Sequence, residues 1–139
     1  MPDTEDRLRP PPAARLAAPV QLLDLAGAQR QLRAEPHLDT NGYRAVTLVH
    51  RETLRVVLIA FDAGAKMREH DAPGPVTLHV LRGALRVGTP DGPVELRPGQ
   101  LLALDTGLAH DVEALEESDL LLGVHPLDPS SAPSPVRDA

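Results

Sequence analysis

The sequence predicts an all-β domain of antiparallel strands with one short helix ahead of it. From Tyr43 onward the chain is a succession of short Val- and Leu-rich runs: "YRAVTLVH", "LRVVLIAF", "VTLHVL", "ALRVG", "VELRP", "LLAL", "HDVEAL" and "DLLLGV". Each is bounded by Gly, Pro, Asp or Thr, which is how strands read in a sequence. The connections between them, such as "TPDGP" and "RPGQ", leave no room for the helical crossovers of a parallel sheet, so the strands pair antiparallel in a sandwich or barrel. A length of 139 residues with 42 % hydrophobic content is one domain with one core.

In chain order, residues 1–19 contain Pro10, Pro11 and Pro12 and little to bury, so they are expected to form a disordered tail. In "VQLLDLAGAQRQLRAEP", Leu22, Leu25 and Leu32 recur at helical spacing with Gln and Arg elsewhere and Pro36 as a stop, which places an amphipathic helix at about 21–35. Gly27 weakens its interior. The strand block occupies about 43–125, in a domain of 20–125. "PLDPSSAPSPVRDA" gives a second disordered tail at 126–139.

Composition excludes several functions. Trp is absent, with one Phe and one Tyr, so base stacking and aromatic cages lack their instruments. A net charge of -6 with scattered Arg also argues against nucleic acid. No cysteine means no disulfide, thiolate metal site or Cys nucleophile. The start of the chain, "MPDTEDRLRPPPAARLAAPV", is acidic and Pro-rich where a secretory signal is basic and then apolar. No stretch approaches the ~20 apolar residues of a membrane span. The expectation is a cytoplasmic protein with no membrane or nucleic-acid partner.

Two spaced constellations lie in the strand block. From Gly64, five residues lead to His70, then come Ala72, Val76 and Gly83. From Gly99, five residues lead to Asp105, then come Gly107, His110 and Ala114. The first resembles the cupin motif Gly, five residues, His-x-His, three or four residues, Glu, six residues, Gly. The second resembles its partner: Gly, five residues, Pro-x-Gly, two residues, His, three residues, Asn. The resemblance covers roughly Tyr43 to Val124 and is to small single-domain bacterial cupins. It implies a cupin jelly-roll barrel, in which Greek-key strands enclose a pocket.

In that family the pocket usually holds a divalent metal on three histidines and a glutamate. Here His70 and His110 stand at two of those positions, and Ala72 and Val76 at the other two. Asp105 and Ala114 replace residues that shape a turn and a strand end. Strand parity sends Glu69 and Asp71 outward if His70 points in, and Asp111 and Glu113 outward if His110 points in. His79 lies an odd offset from Val76 and faces away on an unbroken strand. A bulge after the Pro-Gly-Pro turn would reverse it and make a three-histidine set.

The expected site is thus His70 and His110 as metal ligands, within a pocket lined by Met67, His70, Ala72, Val76, Leu78, Val80 and His110, with Leu102 and Leu104 as further wall. The same leucines and valines also read as plain core. His37, His50 and His125 are expected in solvent, as are the turns "LEESD" and "RETLR". The first functional expectation is a small-molecule-binding cupin with a degenerate metal site, holding no metal or a weakly bound Zn, Ni, Fe or Mn. The second is a metal-dependent dioxygenase, isomerase or epimerase using His70 and His110, with His79 if the bulge exists. Whether the chain is an enzyme stays open at this stage. The apolar strands "YRAVTLVH" and "LRVVLIAF" need covering, and small cupins commonly pair through such strands, so a homodimer is expected.

Overall fold

The computed structural model describes residues 18–36 and 41–127. They form helix α1 (Leu25–Ala34) and nine strands: β1 (Tyr43–His50), β2 (Arg55–Phe61), β3 (Lys66–His70), β4 (Val76–Arg82), β5 (Leu85–Thr89), β6 (Gly92–Leu96), β7 (Leu101–Leu104), β8 (His110–Ala114) and β9 (Ser118–Val124). The strands make a five-stranded sheet in the order β1-β2-β9-β4-β7 and a four-stranded sheet in the order β3-β8-β5-β6. Every neighbouring pair is antiparallel. The two sheets face each other as a jelly-roll barrel.

Alternation sets the core. On β4, Val76, Leu78 and Val80 point between the sheets; on β2, Val57, Ile59 and Phe61 do; on β9, Leu120, Leu122 and Val124. These side chains and their partners on the four-stranded sheet, such as Val87 and Val112, make one apolar cluster. Tyr43 meets Phe61 at a ring-centroid distance of 5.5 Å where β1 and β2 pair. The outer face of the five-stranded sheet carries a second cluster, Leu48, Val49, Leu58 and Ala60, closed by Leu32 of α1.

The helix is shorter than its pattern suggests. Asp24 caps it, its Oδ1 accepting from Gly27 N–H at 3.1 Å, and Glu35 is extended, as a residue before proline should be. Leu22 therefore falls outside α1 and is 98 % exposed. Strand β3, "KMREH", has no apolar run and escapes the pattern; only Met67 on it is fully buried. Of the expected tails, only the ends nearest the domain are described. Leu127 N–H donates to Pro73 O at 3.3 Å and His125 N–H to Pro75 O at 3.1 Å, so 126–127 are tied to the turn before β4. The rest of both tails, and His37, lies outside the described residues. His50 and His125 are exposed.

The turn "LEESD" is only half solvated. Glu116 and Glu117 are exposed, but Ser118 and Asp119 are buried. Asp119 accepts from Gln29 Nε2 at 2.8 Å, Arg82 Nε at 3.3 Å and Arg33 Nη2. A carboxylate on β9 thereby fastens α1 to the sheet. The expectation failed because the partner cations come from distant segments.

Candidate functional site

The site is built by a ladder irregularity. Met67 on β3 faces Val112 on β8, and His70 faces His110. Three residues advance on β3 for two on β8, so β3 bulges at Arg68 and Glu69, both exposed. Without the bulge Met67 and His70 would point to opposite faces. With it, both face the barrel. Glu69, Asp71 and Asp111 are exposed and Glu113 is half-buried beside inward-facing His110 and Val112.

No such irregularity touches β4 where it would matter. Its ladders to β9 and β7 run unbroken from Val76 through His79, which lies between Leu121 and Leu101. His79 is half-buried on the outer face while Val76, Leu78 and Val80 fill the interior. The three-histidine set is therefore not formed: the bulge falls on β3, not after the Pro-Gly-Pro turn.

His70 closes β3 and His110 opens β8, and their rings stand 4.5 Å apart between centroids, tilted by 57°. Each ring is anchored by its own strand. His70 Nδ1 lies 2.9 Å from Arg68 O, and His110 Nδ1 lies 3.1 Å from Leu108 O. A carbonyl oxygen only accepts, so each Nδ1 carries the hydrogen, and in a neutral ring Nε2 is left as a lone-pair acceptor. His110 is 4 % exposed. Burial pushes its pKa down, the Leu108 carbonyl pulls it up, neighbouring His70 lowers it further, and Asp111 and Asp71 oppose that. His110 is thus biased toward the neutral ring.

The other predicted residues sort by depth. The connection from His70 runs directly to Val76, and Val76 pairs with Leu104, which leads into His110. Ala72, Val76 and Leu104 therefore share the imidazoles' end of the barrel; Ala72 is half-buried against the core and the other two are buried. Leu78 and Val80 sit progressively deeper along β4, at 1 % and 0 % exposure. Successive inward residues on a strand are about 7 Å apart, so they lie further along β4 from its beginning than Val76 does. Met67 is one step inward from the pair, at 3 % exposure. The two carbonyls that orient the rings, of Arg68 and Leu108, leave no mark in a sequence of side chains.

The donor set fits a divalent metal poorly. Two imidazoles can share one ion at the usual ~2.0–2.1 Å, but where the resemblance implies two further ligands the chain has Ala72 and Val76. Among the described residues no group of three His, Cys, Asp or Glu can hold a metal ion. A groove of about 500 Å³ runs along β3 and β8, lined by five charged side chains, Lys66, Arg68, Glu69, Asp111 and Glu113, and by the apolar Met67 and Val112.

No protein-family model matches the sequence, nor does any curated protein. Solved structures match the fold. A conserved protein of unknown function from Streptococcus pyogenes is 22 % identical, with a TM-score of 0.63 over 78 % of this chain and 90 % of that one. A cupin superfamily protein from Desulfitobacterium hafniense is 17 % identical, with a TM-score of 0.64 over 81 % and 95 %. A salicylate 1,2-dioxygenase from Pseudaminobacter salicylatoxidans is 17 % identical, with a TM-score of 0.67 over 79 % of this chain but 36 % of that one. The fold is the cupin barrel. Among the described residues, no helix is long and apolar enough to cross a membrane.

Proposed function

We propose that this cupin barrel is a binding module, which takes a small molecule at the end where His70 and His110 meet. The imidazoles supply the polar contacts, and Ala72, Val76 and Leu104 supply an apolar floor. The observation that carries this reading is the pairing of two imidazoles at 4.5 Å between ring centroids, with no group of three metal-ligating side chains among the described residues. Sites of this kind, apolar with a few placed polar atoms, suit small organic ligands. The dioxygenase shares only the barrel with this chain, and one barrel hosts many chemistries. A metal-dependent reaction would need ligands beyond those the described residues bring to this end of the barrel.

The test is metal analysis of protein purified without a nickel column, followed by thermal melting against a panel of small molecules. The reading expects metal well below one per chain. It also expects a ligand that raises Tm, since a ligand present at 100 times its Kd adds about 2.7 kcal/mol to stability, and a rise that is lost in His70→Ala and His110→Ala. One Fe, Mn, Zn or Ni per chain, lost in those two variants, would sink it. We also propose a homodimer, supported by β1, which stands at the edge of the five-stranded sheet. A strand at a sheet edge favours pairing with a second chain.

A further inference from the structure

We propose that the cleft between helix α1 and the far end of β4 binds a small molecule through an anionic oxygen head, a carboxylate or a phosphate. This is a second site, separate from the barrel end described above.

The cleft has a volume of about 320 Å³ and is lined by Ala26, Gln29, Arg30 and Arg33 of α1, Arg82 of β4 and Asp119 of β9. That size is at the small end of ligand pockets. Arg82 closes β4 and stands opposite Asp119 in the ladder. Val76, at the imidazoles' end, opens the same strand, six residues or about 20 Å away.

The inventory of donors and acceptors gives the sign of the ligand. Among the described residues Asp119 is the only carboxylate lining the cleft, and both of its oxygens are taken. Oδ1 accepts from Arg33 Nη2, and Oδ2 accepts from Gln29 Nε2 at 2.8 Å and Arg82 Nε at 3.3 Å. At 2 % exposure it has no face left for a cationic ligand. The guanidinium groups, by contrast, have hydrogens to spare. Arg82 spends Nε on Asp119 and Nη2 on Glu117, at 2.7 Å, which leaves Nη1. Arg30 is exposed and makes no hydrogen bond or ion pair among the described residues, so its five hydrogens are open.

Charge points the same way. Three guanidinium groups, of Arg30, Arg33 and Arg82, stand against two carboxylates, Asp119 and the Glu117 that Arg33 and Arg82 both reach. The cleft is short of one negative charge on a chain whose net charge is -6. Asp24, the helix cap, does not line the cleft, and its Oδ1 accepts from Gly27 N–H at 3.1 Å. Carboxylate and phosphate oxygens match the guanidinium fork two at a time. Ala26 and the methylene stems of the arginines supply the remaining wall, which suits a short aliphatic body. A head held by Arg30 of α1 and Arg82 of β4 reinforces the attachment that Asp119 already makes.

The experiment titrates butyrate, butyl phosphate and butylamine, one four-carbon tail with three heads, into the full chain at a constant ionic strength of ~0.1 M. Backbone amide resonances are followed. Butyrate or butyl phosphate is expected to move the amides of residues 29–33 and of Arg82, and the tighter of the two identifies the head. Butylamine is expected to leave them in place. Arg30→Gln is expected to weaken binding of that oxyanion at least about tenfold, or ~1.4 kcal/mol, with Tm unchanged because Arg30 pairs with no described residue. Arg30→Lys should recover part of the loss, since the charge returns without the fork. Arg97→Gln, the same charge change at an exposed position just past β6, should stay within about twofold, because a distant surface charge is screened. Amides that neither oxyanion moves would overturn the proposal. Equal binding of butylamine would also overturn it, as would equal losses in Arg30→Gln and Arg97→Gln, the mark of a bulk-charge effect. The barrel reading stands in each of those cases, since it is tested at His70 and His110.

Discussion

Arg33 of helix α1 donates to the carboxylate of Asp119 on β9, 86 residues further along the chain. The same carboxylate accepts from Gln29 and Arg82, and both arginines also reach Glu117, at 3.2 and 2.7 Å. Asp119 is 2 % exposed, so it is buried because it is paired. Replacing it leaves the two guanidinium groups with only the exposed Glu117 as shared counter-charge. Asp119→Ala is expected to cost about 2–4 kcal/mol, less than a fully buried pair would because Arg82 stays half in water. Urea unfolding followed by circular dichroism measures it. A loss below about 0.5 kcal/mol would mean that the network does not hold α1 in place.

The helix makes a second, apolar attachment, and two leucines ten residues apart separate burial from mere hydrophobicity. Leu32 is 1 % exposed in the cluster on the outer face of the sheet, and Leu22 is 98 % exposed. Leu32→Ala should destabilise by about 2–5 kcal/mol, through lost transfer energy and the cavity left behind. Leu22→Ala should stay within about 0.5 kcal/mol. The same unfolding experiment compares them directly. Equal effects would show that α1 is not seated on the sheet.

His110 links stability to pH. Its folded pKa lies below the ordinary histidine value of about 6.5, chiefly because the ring is buried. Below that ordinary value the unfolded chain takes up a proton at this position that the folded chain refuses. The unfolded state then binds more protons, and stability falls with falling pH until the folded ring also titrates. Its contribution is therefore complete above about pH 6.5 and lost as pH drops through the folded pKa. His110→Leu should flatten this part of the curve, leaving the carboxylate-dependent losses at lower pH. Denaturant midpoints for the two proteins between about pH 4.5 and 8 give the difference, and parallel curves would contradict the assignment.

How much of this was legible in the sequence depends on which physical signal each feature uses. Strands such as β2 and β9 announce themselves, because "RVVLIAF" and "SDLLLGV" bury side chains on both faces. Strand β3 does not, since of its five residues only Met67 is fully buried. The spacing of His70 and His110 placed them together correctly, yet the feature that turns His70 inward is a bulge at Arg68 and Glu69, which alternation alone does not reveal. Parity handled His79 well, because β4 is regular there. Asp119 looked like part of a solvated turn, because its partners Gln29 and Arg33 lie in a helix whose docking face the sequence does not specify.

The depleted donor set can be tested by restoring it. If His70 and His110 lie at the barrel end as described, then Ala72→His and Val76→Glu, made together, should supply the third imidazole and the carboxylate that complete a four-ligand shell. The double variant is expected to take up one Zn or Ni per chain by calorimetry and elemental analysis under conditions where the parent takes up little. Val76 is 3 % exposed, so a glutamate there without metal carries a desolvation penalty and raises the carboxyl pKa. Two further outcomes follow. The metal-free double variant should melt below the parent, and adding metal should recover part of the loss, because binding to the folded state alone shifts the unfolding equilibrium. Val76→Glu alone should show the penalty with far weaker recovery, since three ligands bind less firmly than four. A double variant that folds but binds no metal would mean that Ala72 and Val76 do not share the imidazoles' end of the barrel. The proposed apolar floor, which depends on the connection of residues 71–75, would then fall.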